Sequence, residues 1–170
     1  MLLGGGGWQA HAGAAWLTPE VCDTEPKDRA ALLRKYETKT GLLGRYRVLY
    51  GFDGTAPGLN AGCMVYAEER DFAGRDDNRY QYSPYVLEAL LQTAHFYPHM
   101  RDERDERSAL PMRIGRLRIG RRAVPAERIR VEGRLTADKE SGMLWNLRAV
   151  SQSGEVLLEV WDFLVRWYTP

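Results

Sequence analysis

The chain has 170 residues, of which 44% are hydrophobic, so it is long enough to fold as one domain with a substantial core. Its formal net charge of +1 provides no global field that would attract a polyanion, and we expect no nucleic-acid partner. Two cysteines are too few for a disulfide framework and show no metal-ligand spacing. No stretch approaches the ~18 consecutive apolar residues of a membrane span. We therefore expect a cytoplasmic protein without a metal site.

The predicted elements of the first third of the chain are short. The opening MLLGGGGWQAHAGAAW lacks a basic region before its broken apolar stretch, so we do not expect a signal peptide. A strand is possible at 8–17 and a short helix at 26–36. RYRVLYGF, at 45–52, predicts a strand. AGCMVYAEE, at 61–69, predicts a second strand that lies antiparallel to the first, because the connection between them is short and contains Gly and Pro.

The middle of the chain predicts one long buried helix. SPYVLEALLQTAHFYPH, at 83–99, is mostly apolar, with Ser83 suited to the N-cap and Pro84 to the first helical position. The charged run RDERDER, at 101–107, is typical of a solvated connection.

The last third of the chain predicts a four-strand meander. PMRIGRLRI, at 111–119, changes phase at Gly115 as a bulge would cause, and the strands 127–136, 143–151 and 155–167 follow. QSGE is a hairpin signal between the last two strands. The sum is an α+β fold in which an antiparallel sheet wraps around one long central helix.

The helix contains an acid that requires an explanation. Glu88, Gln92 and His95 fall at i, i+4 and i+7 on one narrow stripe, with Leu87 and Leu91 on neighbouring faces. A buried carboxylate is costly unless it has a partner, a path to solvent or a chemical role. The stripe fits the wall of a tunnel, with an acyl chain beside the leucines and a general acid at the carboxyl. It also fits a structural Glu that is satisfied by Gln92 or by a strand arginine.

The pattern of Pro84, Leu87, Glu88, Ala89 and Gln92 resembles the acid helix of polyketide synthase dehydratase domains, usually HPxLLDAxxQ. Those domains are double hot-dog folds. Four other segments resemble family strands in the family's order. WQAHAGAA is similar to WxxHAxG, TGLLGRYRVL to GxxYGPxFR, LPMRIGRLRI to LPFSIGRVRL, and GEVLLEVWDFLVRW to GxVVAxVxGLxLR.

The departures from the family pattern refine what the resemblance implies. Glu88 stands where Asp is usual, as in the EALAQ of single-hot-dog bacterial fatty-acid dehydratases, and Ser83 replaces a His. The segment HxxxGxxxxP, which carries the family's catalytic His, does not occur. The resemblance therefore implies a C-terminal hot-dog domain at 41–170. Residues 1–15 would be the last strand of a preceding hot dog or an N-terminal extension, and 16–40 a linker with a short helix.

The resemblance also implies a reaction. It is the dehydration of 3-hydroxyacyl thioesters on an acyl carrier protein, in synthesis of the polyketide or polyunsaturated-fatty-acid type. Glu88 would be the acid and Gln92 its hydrogen-bond partner. The substrate tunnel would be lined by Tyr46, Leu87, Leu91 and His95. No metal or organic cofactor is implied, because the phosphopantetheine of the carrier protein carries the substrate. The base would come from a His-bearing hot-dog half or a homodimer partner.

Two further features leave alternatives open. Arg128, Arg130 and Arg134 share one strand face, which is either a solvated outer surface or a docking surface for the acidic carrier protein that the resemblance implies.

A stand-alone hot-dog thioesterase or hydratase, working as a dimer, is the alternative enzyme to a dehydratase half. An inert hot dog that binds acyl chains or serves as a scaffold is the rival without catalysis.

Overall fold

The computed structural model of the chain describes residues 29–40, 42, 44–53, 57–66, 80–102 and 107–168. The predicted strand at 8–17, residues 70–79 and most of the charged run 101–107 lie outside these residues. Within them, no helix is long and apolar enough to cross a membrane. The helices are α1 (Arg29–Lys35), continued by a π-helical turn (Tyr36–Thr40), and α2 (Pro84–Arg101). The strands are β1 (Gly51–Asp53), β2 (Leu59–Val65), β3 (Ser108–Arg113), β4 (Arg116–Ile119), β5 (Arg128–Lys139), β6 (Gly142–Ser151) and β7 (Val156–Tyr168).

The strands form one curled antiparallel sheet in the order β1-β2-β5-β6-β7-β3, with β4 also beside β7. The predicted meander of four consecutive strands is therefore wrong: only β5, β6 and β7 follow one another. Helix α2 contacts both β2, next to the edge strand β1, and β3, at the opposite edge, and so carries the chain from one side of the sheet to the other. As a result β3 and β4 pair with β7, and β5 pairs with β2.

The strand predicted at 45–52 is mostly irregular. Gly44–Tyr46 form a 3-10 turn, and regular pairing begins only at Gly51. The reason is that the backbone N–H of Leu49 donates to the phenol oxygen of Tyr36, at 3.0 Å, rather than to a neighbouring strand. The antiparallel pairing of this region with β2 is confirmed, with Phe52 opposite Gly62.

Two local predictions in the last third of the chain are confirmed. β3 ends at Arg113 and β4 begins at Arg116, so the strand breaks around Gly115, whose N–H donates to the Trp161 carbonyl at 3.1 Å. The hairpin between β6 and β7 turns at 152–155, closed by the Ser151 N–H bond to the Glu155 carbonyl at 2.9 Å. The hairpin arises from residues close in sequence, and the strand breaks at the glycine that interrupts the alternating pattern.

Helix α2 begins as predicted and packs one face on the sheet. The Ser83 hydroxyl accepts the Val86 N–H at 3.3 Å, as an N-cap does. The apolar core between helix and sheet includes Val86, Ala89, Leu90, Ala94, Ile129, Val131, Trp145 and Phe163. Leu32 of α1 and Tyr36 of the following turn are buried in the same core, so the predicted arrangement around one helix omits a second helical segment.

A buried amide fixes the position of α2 over the sheet. Asn60 of β2 donates from Nδ2 to the Thr93 carbonyl of α2, at 2.6 Å. Asn60 has room because it lies against Gly133 of β5, where a Cβ would overlap its Oδ1 atom. A close approach of this kind requires glycine. The sheet and the helix are therefore connected by a specific polar contact as well as by apolar packing.

Candidate active site

A cleft of about 440 Å³ lies beside the N-terminal half of α2. Its described wall combines aromatic, aliphatic and polar side chains and includes one carboxyl group: Tyr80, Gln81, Tyr82, Pro84, Leu87, Glu88 and Leu91. Glu88 is half-buried. The acid of the helix is therefore placed at the edge of a cavity rather than sealed in the core.

The Glu88 carboxyl is held by the next turn of its own helix. Gln92 donates from Nε2 to Glu88 Oε1 at 2.7 Å, and Gln92 is itself only 3% exposed. Among the residues that the structure describes, no arginine or lysine forms an ion pair with Glu88. Of the two structural partners that the sequence suggested, the glutamine is present, and the described strands contribute no arginine. Within the described part of the chain, the carboxyl therefore faces the cleft without a neutralising cation.

The orientation of the Gln92 amide is fixed at both ends. Its Nε2 also donates to the Tyr46 carbonyl at 2.7 Å, and its Oε1 accepts from the Tyr36 hydroxyl at 2.5 Å. The Tyr36 oxygen in turn accepts the Leu49 N–H at 3.0 Å. Both amide hydrogens and the amide oxygen are thus used. Because Gln92 gives a hydrogen to Oε1 of Glu88, the acidic proton of a protonated Glu88 belongs on Oε2.

Tyr36 is a buried neutral donor in this network. Burial raises its pKa above the ordinary value, the Glu88 charge raises it further, and the Leu49 hydrogen bond opposes the rise. The phenol therefore keeps its proton at neutral pH. The sequence does not predict a role for this residue, because it lies 56 positions from Gln92 and no local pattern connects them.

The structure separates the predicted tunnel residues into two groups. Leu87 and Leu91 line the cleft with Glu88. Tyr46 is 43% exposed and its side chain is not part of the described wall, although its backbone carbonyl anchors Gln92. His95 is also absent from that wall, since its Nδ1 lies 3.1 Å from the Ala109 carbonyl of β3. Burial lowers the pKa of His95, and the contact with Ala109 partly opposes this effect.

The predicted arginine surface is less open than its alternation suggested. Arg128 is exposed, but Arg130 and Arg134 are half-buried. Arg130 donates to Glu132 at 2.5 Å, and Arg148 of β6 donates to the other Glu132 oxygen at the same distance. Of the three predicted docking residues, Arg128 is exposed and the other two are half-buried. The described residues contain no cluster of three or more side chains that could hold a metal ion.

Comparison with known proteins identifies the family. Residues 58–170 match the family model described as "Polyketide synthase dehydratase N-terminal domain". The chain belongs to the polyketide synthase dehydratase family. The matched range contains Glu88 and Gln92 but excludes Tyr36 and Tyr46, which complete the network around the amide. No curated protein matches the chain.

Solved dehydratase structures share the fold. "GphF Dehydratase 1" is 19% identical with a TM-score of 0.63, and the match covers 79% of this chain and 48% of that one. The dehydratase domain of PpsC from Mycobacterium tuberculosis, in complex with C12:1-CoA, is 14% identical with a TM-score of 0.65, covering 83% and 51%. This chain therefore spans about half the length of these dehydratases.

A smaller protein shares the architecture as well. Smu.793 from Streptococcus mutans UA159, bound to acetyl CoA, is 12% identical with a TM-score of 0.54. That match covers 75% of this chain and 96% of smu.793. At these identities the likeness establishes the fold, which is hot-dog-like.

Proposed function

We propose that this chain is the acid-bearing hot-dog half of a dehydratase that acts on 3-hydroxyacyl thioesters. The parent synthesis would be of the polyketide or polyunsaturated-fatty-acid type. One observation carries the proposal: the Glu88 carboxyl lies in the wall of a mainly apolar and aromatic cleft, bound by Gln92 and, within the described residues, by no cation. A carboxyl in that setting can deliver a proton to a bound substrate.

The assignment to the C-terminal half is part of the proposal. The matching family model is described as an N-terminal domain. The assignment to the second half is supported by the order of the segments along the sequence, with the acid helix after TGLLGRYRVL and before LPMRIGRLRI. The chain spans only about half of the related structures, so a second hot dog is expected to complete the site.

In the proposed reaction a base on the partner hot dog, or on a second copy, removes the proton α to the thioester carbonyl. The electron pair of that C–H bond forms the Cα–Cβ double bond, and the C–O bond to the β-hydroxyl breaks. Oε2 of Glu88 gives its proton to the departing oxygen, so the products are water and an enoyl thioester. Gln92 then donates to the carboxylate that remains, and the proton on the base returns to Glu88 through solvent.

The cleft fits an acyl group in size and chemistry. Its volume of about 440 Å³ lies within the ~300–1,000 Å³ that small-molecule sites occupy. Leu87 and Leu91 provide an apolar wall next to the acid, and Tyr80 and Tyr82 provide the aromatic part. We propose that the acyl group reaches the cleft on the phosphopantetheine of a carrier protein, for which Arg128 offers one exposed cation.

The test is a reconstituted dehydration assay. The full chain is mixed with a His-bearing dehydratase half and a 3-hydroxyacyl thioester, and enoyl formation is followed by mass spectrometry. Glu88→Gln and Glu88→Ala are expected to lose ~10²–10⁴-fold in kcat, the usual contribution of one general acid. Glu140→Gln, an exposed change in the turn between β5 and β6, is the matched control and should keep full activity.

The outcomes separate the candidate functions. Undiminished turnover by Glu88→Gln contradicts the acid role. Full turnover by the purified chain alone contradicts the need for a separate His-bearing half and favours a stand-alone hot-dog enzyme, whose base would come from this chain or from a second copy of it. If no turnover occurs but the chain still assembles with the partner half, and Glu88→Ala assembles equally well, the chain is a scaffold.

A further inference from the structure

We propose that Tyr36 is a positioning residue: its hydroxyl locks the Gln92 amide so that the NH₂ group, and not the oxygen, faces Glu88. This inference rests on the proposed acid role of Glu88. It adds a residue outside the 58–170 range that matches the family model. It also assigns a function to the segment between α1 and β1, which otherwise contributes no side chain to the described cleft wall.

Two backbone groups in this network have only one hydrogen-bonding role each. A backbone N–H can only donate, so the Tyr36 oxygen must accept from Leu49, and its single hydrogen is directed to Gln92 Oε1. A backbone carbonyl can only accept, so the Tyr46 carbonyl requires the NH₂ end of Gln92. Both backbone groups therefore require the same orientation of the Gln92 amide. The positions of its oxygen and nitrogen atoms follow from these hydrogen bonds, although the two atoms have nearly the same shape.

The chemistry depends on that orientation. After Glu88 has given up its proton it carries a full charge, and a Gln92 N–H at 2.7 Å stabilises it. If the amide rotated by half a turn, its oxygen would face the carboxylate and repel it. The transition state of proton transfer would then lose stabilisation, whereas binding of the neutral substrate would change little.

Tyr36 is suited to this role by its packing. It is fully buried, and its ring makes an edge contact with Phe96 of α2, at 4.8 Å between centroids. Burial also raises its pKa, so the hydroxyl remains a donor at neutral pH. Phenylalanine can keep the ring contact and remove only the hydroxyl. Tyr36→Phe is therefore a selective test of the hydrogen bond.

The kinetic test uses Tyr36→Phe, Gln92→Leu and the double variant in the reconstituted assay with the full chain. Tyr36→Phe is expected to lose about 10–100-fold in kcat, with KM changed by no more than about twofold. The double variant should be no slower than Gln92→Leu, because Tyr36 acts only through Gln92. Tyr97→Phe is the matched control: its buried hydroxyl accepts from the Gly58 N–H at 2.7 Å, and it is absent from the described cleft wall and should keep full kcat.

A second readout does not depend on activity. The side-chain amide of Gln92 in the ¹⁵N-labelled chain should give two distinct, slowly exchanging proton signals. Tyr36→Phe should shift or broaden both signals, and Tyr97→Phe should leave them unchanged. Unchanged Gln92 signals in Tyr36→Phe overturn the inference, as does a double variant whose losses multiply. If the wild-type assembly shows no dehydration, the proposed function fails, and the amide signals alone then decide whether Tyr36 orients Gln92.

Discussion

Gly133→Ala should test whether the Asn60 contact holds helix α2 in place. A Cβ at residue 133 would overlap Asn60 Oδ1 and lie 3.1 Å from the Leu147 side chain. Asn60 is fully buried and cannot move to solvent. To accommodate the methyl group it must turn away from Thr93, which breaks its 2.6 Å bond to that carbonyl.

The expected cost is the sum of two effects. An extra methyl in a filled core costs ~1–3 kcal/mol, and a buried amide left without its acceptor costs ~1–3 kcal/mol more. We therefore expect Gly133→Ala to lower the free energy of unfolding by about 2–6 kcal/mol. With a urea m-value of about 2 kcal/mol/M, the unfolding midpoint should fall by about 1–3 M.

The assay is urea unfolding followed by far-UV circular dichroism. Asn60→Ala in the Gly133→Ala background supplies the control, because it removes the overlapping amide. The double variant should be less destabilised than the sum of its single variants, by about 1–2 kcal/mol of coupling. A midpoint for Gly133→Ala within error of the wild type, or strictly additive losses, would refute the reasoning.

Two further predictions concern charged and titratable groups. Glu132→Leu should lower the free energy of unfolding by about 2–4 kcal/mol in the same urea assay, because Glu132 is only 1% exposed and holds Arg130 and Arg148. Because both arginines are partly exposed, this loss of stability should be smaller than the loss on breaking a fully buried ion pair. Burial lowers the pKa of His95 in the folded chain. At pH values below the ordinary pKa of histidine, the unfolded chain therefore binds more protons than the folded chain. The free energy of unfolding should accordingly fall as the pH drops below about 6.5.

Control variants at Glu132 and His95 can contradict each of these predictions. Glu132→Gln keeps one acceptor, so it should be less damaging than Glu132→Leu, and equal losses would contradict the role of the two guanidinium contacts. For His95, urea midpoints are compared between about pH 7.5 and pH 5.5. His95→Gln should flatten the slope between them, and an unchanged slope would assign the pH dependence to other groups.

The parts of the fold that were predicted correctly depend on residues close in sequence. Ser83 and Pro84 define the start of α2, the break around Gly115 interrupts an alternating strand, and a short turn creates the hairpin from β6 to β7. The errors concern distant partners. The strand predicted at 45–52 is mostly irregular because the Leu49 N–H donates to the Tyr36 hydroxyl oxygen. The predicted meander is wrong because β5 pairs with β2, which precedes helix α2 in the sequence.

The same distinction holds in the site. Glu88 and Gln92 are one turn apart, so helical periodicity alone predicts their contact, which the structure contains. His95 lies on the same angular stripe of the helix as Glu88 and Gln92. It is, however, about 10 Å from Glu88 along the helix axis, at ~1.5 Å per residue. There it meets the Ala109 carbonyl of β3 instead of the cleft. Angular position on a helix thus predicts a shared face but not a shared site.

The geometry of the acid therefore depends on two parts of the chain with different sequence signals. The helix supplies the carboxyl and the amide, and its pattern resembles a known motif. The segment from Tyr36 to Leu49 supplies the Tyr36 hydroxyl and the Tyr46 carbonyl that orient the amide, and it lies before the range that matches the family model. A glutamine with free rotation could present either end to Glu88. The motif thus specifies which groups are present, and the preceding segment specifies how they face each other.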